Sequence, residues 1–272
     1  MARGAHKFAK PPSPGAPKAL PAGESTPAVR YAVTLACLAI SLFGWALLVW
    51  LSIDMGHPIA QLMMPMSSQW AVANLLAITV MWAVMMVAMM LPSALPMIRT
   101  FAALSVQHGE RHRVQAFLAA YLAVWAAFSI AATGMQWTLQ AAGWLNPMIA
   151  STSAALNATL LVIAGVYQFT PLKQVCLAKC RTPAGFLLGE WRPGVGGGFV
   201  MGLRHGLFCV GCCWVLMALL FVGGVMNLAW IVALSVTVAI EKLFPSGARM
   251  SQWLGTALIV AGSARLIVLL SN

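Results

Sequence analysis

Met201, His205, Cys209, Cys213 and Met217 recur at every fourth residue of one apolar run, and Cys212 follows Cys209 by three. On a helix, four residues turn the chain through about 400°, so each of these side chains stands above the last with a drift of about 40°. The result is a shallow spiral ridge of thioether, imidazole and thiol groups. Polarizable sulfur binds polarizable metal, so this ligand set suits Cu(I) or another soft transition metal. Cys212 and Cys213 point about 100° apart, and one helix alone does not aim both at a single ion. Packing is the competing explanation, because a buried cysteine behaves as a small hydrophobe and methionine fills core gaps. Three thiols within five residues, beside an ionisable histidine in so apolar a run, favour metal or redox chemistry instead.

Three further groups carry the same chemistry. Met81, Met85 and Met89 recur at spacing four, with Met86 and Met90 as a second row; taken alone, these rows read as packing rather than ligation. Cys176 and Cys180 form a CxxxC beside Lys173, Lys179 and Arg181, where neighbouring cations favour thiolate. That pair is open between a metal relay, a redox couple and two incidental thiols, because CxxxC is far less specific than paired CxxC motifs. Asp54, Met55, His57, Met63, Met64 and Met66 lie within thirteen residues. They read as a short interfacial helix or, alternatively, as a copper-collecting patch that resists oxidation to disulfide. Glu241 and Lys242 end another apolar run; the carboxylate there is expected to pair with Arg204 or Lys242 or to carry a proton. Arg204 is expected to snorkel to a surface.

At these residues the chain resembles a bacterial family of predicted metal-binding integral membrane proteins, a domain of unknown function. The resemblance rests on Met85-Met86-Val87-Ala88-Met89-Met90-Leu91-Pro92, on Tyr167-Gln168 through Pro171-Leu172-Lys173 with Cys176 and Cys180-Arg181, and on Gly206, Cys209, Gly211-Cys212-Cys213-Trp214 and Met217. Met226-Asn227 and Glu241-Lys242 complete it. It covers roughly residues 70 to 245. It implies metal binding at Met85, Met89, Met90, Cys176, Cys180, Cys209, Cys212, Cys213 and Glu241, and names neither metal nor direction of transport.

The elements that must position these groups follow from composition. Of 272 residues 61% are hydrophobic and 8% charged, which excludes an ordinary soluble globular domain with its usual quarter of charged residues. Apolar runs near residues 31–53, 70–91, 114–134, 148–169, 199–221, 227–243 and 253–270 match the roughly 20 residues a helix needs to cross a bilayer. No barrel-type alternation is present, so the expected fold is all-α: a polytopic transmembrane bundle of about seven spans over residues 31–272. Residues 1–30, rich in Pro, Ala and Gly with five Lys and Arg, are expected to form a disordered basic tail.

The formal charge of +11 would suggest nucleic acid in a soluble protein. Here Arg99, Arg111 and Arg113, then Lys173, Lys179, Arg181 and Arg192, then Lys242 and Arg249 follow alternate runs, while the opposite connections lack Lys and Arg. The positive-inside rule then places the N-terminus in the cytoplasm and makes anionic lipid, not nucleic acid, the partner of the charge. With span edges set at the ends of these runs, Met81 and Cys209 both fall roughly 15 Å from the cytoplasmic edge, and Met85 and His205 roughly 9 Å, so the two rows could face each other. The Gly194 to Gly198 stretch lacks the strand and Lys-Ser/Thr of a phosphate loop and reads as a flexible lead-in to the fifth span. Asn146-Pro147 reads as the N-cap and first residue of the fourth.

The function expected from these features is a multi-pass protein of the bacterial inner membrane that binds a soft metal, most plausibly copper, through Met81, Met85, Met89, His205, Cys209, Cys212, Cys213, Cys176 and Cys180. It would transport the metal or deliver it to a metallochaperone or metalloenzyme. No catalytic set stands out, and the chain reads as a binding protein rather than an enzyme. A transmembrane thiol-disulfide conduit and an assembly factor for a membrane metalloenzyme are the alternatives. The conduit would require a helix to move, because the buried thiols lie roughly 15 Å or more from the cytoplasmic surface.

Overall fold

The computed structural model describes residues 25–65, 70–107, 110, 112–146 and 148–271. Among them the ordered elements are helices: α1 (Ser25–Ile53), α2 (Pro58–Met63), α3 (Val72–Gln107), α4 (His112–Ala141), α5 (Ala154–Tyr167), α6 (Pro171–Arg181), α7 (Pro183–Glu190), α8 (Gly194–Ala218), α9 (Leu220–Gly223), α10 (Leu228–Leu243) and α11 (Gly247–Ser271). The proposed tail falls largely outside the described residues, and its last six residues already belong to α1.

Each of the seven apolar runs carries a helix, but their lengths differ. Five segments are long and apolar enough to cross a membrane: Pro27–Ile53, Val72–Val106, His112–Ala141, Gly194–Gly223 and Gly247–Ser271. A sixth would be α5 with α6, two helices bent by 64° at the Gln168 to Thr170 break. At 14 and 16 residues, α5 and α10 span about 21 and 24 Å, short of a hydrocarbon core of about 30 Å.

Local chemistry sets the breaks. The Thr170 hydroxyl accepts from the Lys173 amide at 3.3 Å and Pro171 takes the first helical position, so α6 starts afresh in a new direction. Asn146 does not cap the next helix. Its side chain accepts from Ala150 N at 2.9 Å within the loop, and Ser153 caps α5 by accepting from Leu156 N at 3.2 Å; Pro147 lies outside the described residues. The predicted lead-in at Gly194 to Gly198 is instead the first turn and more of α8. Two of those glycines serve close contact, as a Cβ at Gly198 would stand 2.8 Å from the Arg113 carbonyl oxygen and one at Gly197 would stand 2.8 Å from the Arg192 Cβ.

That contact begins a seam. Gly198, Gly202 and Gly206 lie every fourth residue along α8 and meet Arg113, Phe117 and Val124 of α4, so the two backbones approach as only missing side chains allow. A second small-residue seam, Gly165 of α5 against Gly255 of α11 and Gly262 against Ala158, ties the last helix to the bundle. Around the α4–α8 seam α3, α6 and α10 close the core. α3 runs 36 residues, continuing through Pro92 and Pro96, about 54 Å in all.

Candidate metal centre

The α8 ridge faces inward along its whole length: Met201, His205, Cys209, Cys213 and Met217 are all buried. Opposite Cys209 and Cys213 stands Met90 of α3, whose Sδ lies 3.9 Å from the Cys213 Sγ. Into this group reaches Lys242 from the end of α10. Its ammonium lies 3.1 Å from the Cys209 Sγ, 3.5 Å from the Met90 Sδ, 4.0 Å from the Cys213 Sγ and 3.4 Å from the Ser93 Oγ. A positive charge is thus seated among a thioether and two thiols in a dry interior.

The surrounding groups fix these atoms. The Tyr121 hydroxyl of α4 is 3.3 Å from the Cys209 Sγ and 3.3 Å from the Met90 carbonyl. Cys212 and Cys213 both donate to the Cys209 carbonyl, at 3.1 and 3.0 Å, so the two thiols that diverge on the helix are tied to one backbone atom. From α6, Cys180 lies beside both Cys209 and Cys212. Cys176 packs against the α8 backbone at Gly211, where its Sγ would stand 2.8 Å from any Cβ. Tyr167 donates its hydroxyl proton to the Gly211 carbonyl beside it. All six cysteines are free.

His205, one turn from Cys209, is held otherwise. Its ring stacks near Phe117 and Tyr121, with centroids 5.9 and 5.6 Å away, and meets Phe186 edge-on at 5.7 Å. Neither ring nitrogen has a hydrogen-bond partner among the described residues, although the side chain is only 2% exposed.

Met81 and Met85 are placed elsewhere. With Met226 they line a cavity of about 10 Å³ between α1, α3 and α10, away from the thiols, and Met89 is buried nearby on the same helix. The depth arithmetic that set Met81 beside Cys209 is therefore corrected: the structure sets Met90 beside Cys213, and Trp82 against Phe221 at 5.5 Å. The register differs by thirteen residues, about 20 Å. The cause is α3, which does not end at Leu91 but continues through both prolines.

Other expectations also change. Glu241 pairs with Lys173 at 2.7 Å, both buried, and not with Arg204 or Lys242. Its second oxygen has no hydrogen-bond partner among the described residues. Arg204 does reach a surface, its side chain 42% exposed, and is paired there with Glu190. α6 packs against α8, so Cys180 adjoins the buried thiols without the 15 Å separation expected from sequence. Lys173, Lys242 and Arg113, read as topological charges, are buried; the Arg113 guanidinium pairs with Glu110 at 2.6 Å and lies 4.3 Å from the Trp191 ring centroid. In the outer group, His57 caps α2 through Nδ1, accepting from Ile59 N at 3.3 Å, with Trp50 edge-on at 4.9 Å. Met63 is buried, Met55 is exposed, and Met66 lies outside the described residues.

Two members of the centre escaped the sequence reading. Tyr121 is one of only three tyrosines and sits inside an apolar run, where an unpaired hydroxyl is costly; that was the available signal. Lys242 was read for its charge alone. Among the described residues, no three His, Cys, Asp or Glu side chains form a ready-made metal site. The cluster of Met90, Cys209 and Cys213 includes a thioether, a ligand type suited to Cu(I).

A family model described as PpoB2, copper chaperone, matches residues 79–265, well over half of the chain and every group just described except the α1–α2 end. No curated protein and no solved structure matches. The chain belongs to the PpoB2 copper chaperone family.

Proposed function

We propose that this protein is an integral membrane copper chaperone that receives Cu(I) among Met90, Cys209 and Cys213 and passes it to a partner metalloenzyme. The observation that carries the reading is the Lys242 ammonium, a cation already lodged among three sulfurs in the protein interior. Replacing hydrated surroundings by soft ligands at that spot is what a cuprous ion requires and what a hard ion does not. Cys180 and Cys212 adjoin the same sulfurs and supply the exchange partners by which an ion moves from one pair of ligands to the next. Cys176, Met81, Met85, Met89 and His205 stand outside this ligand set and are secondary stations at most. In the bilayer we place the N-terminus in the cytoplasm, with seven crossings of a bacterial inner membrane, two of them made by the short helices α5 and α10. This orientation rests on the Arg and Lys residues that follow alternate apolar runs of the sequence, Arg99, Lys179, Arg181 and Arg249 among them.

Metal content tests the reading. Protein purified in detergent under reducing conditions and loaded with Cu(I) is expected to hold stoichiometric copper, and the Cys209→Ser/Cys213→Ser variant to lose it. Copper absent from the wild type, together with a Cys180–Cys209 or Cys180–Cys212 disulfide trapped on mild oxidation, would overturn it in favour of thiol-disulfide exchange.

A further inference from the structure

We infer that Lys242 is the residue that sets the charge of the metal this centre accepts, favouring a monovalent over a divalent ion. The inference rests on the copper-binding reading above and extends it to specificity.

Three side-chain charges bear on the centre. Lys173 and Glu241 are paired at 2.7 Å and cancel. Lys242, among the described residues, forms no ion pair with a carboxylate: its partners are the Cys209, Cys213 and Met90 sulfurs and the Ser93 hydroxyl. It is 5% exposed, so water does not dissipate its charge. Thiols must lose their protons to ligate a metal, and the two that face Lys242 would then carry two negative charges. With the ammonium beside them the empty centre carries one net negative charge. A monovalent ion brings the buried group to neutrality, whereas a divalent ion leaves an uncompensated positive charge, a costly state in a low-dielectric interior. Cys212 stays outside this count because, among the described residues, the Lys242 ammonium contacts the Cys209 and Cys213 sulfurs and not that of Cys212.

The ligand set alone does not make this distinction, because thiolates bind Zn(II) as well as Cu(I). Charge does. Removing the ammonium reverses the preference: two thiolates without Lys242 are neutralised by a divalent ion and left negative by a monovalent one.

The experiment measures Cu(I) and Zn(II) affinities by competition with chromogenic chelators, on the reduced full chain in detergent, for wild type, Lys242→Met and Lys242→Gln. Met keeps the length and apolar character of the lysine stem, and Gln provides a second neutral variant should one fail to yield monodisperse, helical protein. The ratio of Zn(II) to Cu(I) affinity is expected to rise at least tenfold in either variant. Arg204→Gln, which removes a cation paired with Glu190 outside the centre, is expected to keep the wild-type ratio. An unchanged ratio in the Lys242 variants, with Cu(I) still bound, overturns the inference while leaving the copper reading in place. An equal shift in Arg204→Gln also overturns it, since net charge alone would then explain the effect. Wild-type protein that binds no Cu(I) removes both.

Discussion

Substituting Gly202 by alanine isolates what the α4–α8 seam does for the centre. A methyl at this position would meet the Phe117 carbonyl and stand 2.8 Å from both the Phe117 C and Cα, about 0.6 Å inside the 3.4 Å at which ordinary contact begins. These are backbone atoms in mid-helix, so relief comes only by separating α4 from α8. Overpacking of this kind costs about 1–3 kcal/mol, and the rigid neighbour puts Gly202 near the upper end. Alanine's better helix propensity returns about 1 kcal/mol, leaving a net loss of about 2 kcal/mol. Gly134, also on α4 but with nothing within 4 Å of a Cβ, is the control: Gly134→Ala gains the propensity term alone. The two variants should therefore differ by about 3 kcal/mol in denaturant unfolding followed by far-UV circular dichroism in detergent micelles. Because Tyr121 and Cys209 sit on the separating helices, Gly202→Ala should also weaken Cu(I) binding, whereas Gly134→Ala should not. Equal stabilities for the two alanine variants would refute the seam argument.

Three other outcomes follow from the same contacts. Glu241→Gln leaves Lys173 buried with no paired carboxylate and should cost about 3–5 kcal/mol in thermal or denaturant unfolding, much of it recovered in the Lys173→Met/Glu241→Met double variant. Tyr121→Phe removes a hydroxyl that faces both the Cys209 sulfur and the Met90 carbonyl; a loss of about 1 kcal/mol corresponds to roughly fivefold weaker Cu(I) binding by chelator competition. Cys176→Ala should keep the copper stoichiometry measured by elemental analysis, since that thiol faces the Gly211 backbone, while Cys209→Ser should abolish it.

Much of the centre was legible because helical periodicity places residues on faces without reference to anything else. Met201, His205, Cys209, Cys213 and Met217 share a face by spacing alone, and all five are buried. What spacing cannot supply is the longitudinal register between two helices. The second apolar run ends at Leu91, and the whole comparison of depths was hung on that edge; the helix continues through both prolines, and Met90 rather than Met81 meets the thiols. The lysines were misread for a related reason. A cation at the end of an apolar run serves equally to orient a span or to enter the protein, and only the fold shows that Lys173 and Lys242 do the latter. The fourth apolar run ends at residue 169, at the α5–α6 break, but hydropathy does not show that α6, started by Thr170 and Pro171, turns back into the bundle. It carries Cys180 back to the cysteines that the sequence reading had kept remote.

The ion pair between Lys173 and Glu241 joins residues 68 positions apart, with the lysine made first. When α6 leaves the ribosome its counter-charge does not yet exist, and a bare ammonium has no reason to enter a dry interior. α6 must therefore wait at the periphery until α10 has been synthesised. When Glu241 arrives its partner is already present, and docking of the two helices brings Cys180 and Lys242 to the sulfur cluster in one event. A nascent or truncated chain that stops short of α10 thus has Met90, Cys209 and Cys213 in hand but neither the lysine nor the docked thiol, so the centre closes only once α10 has been made.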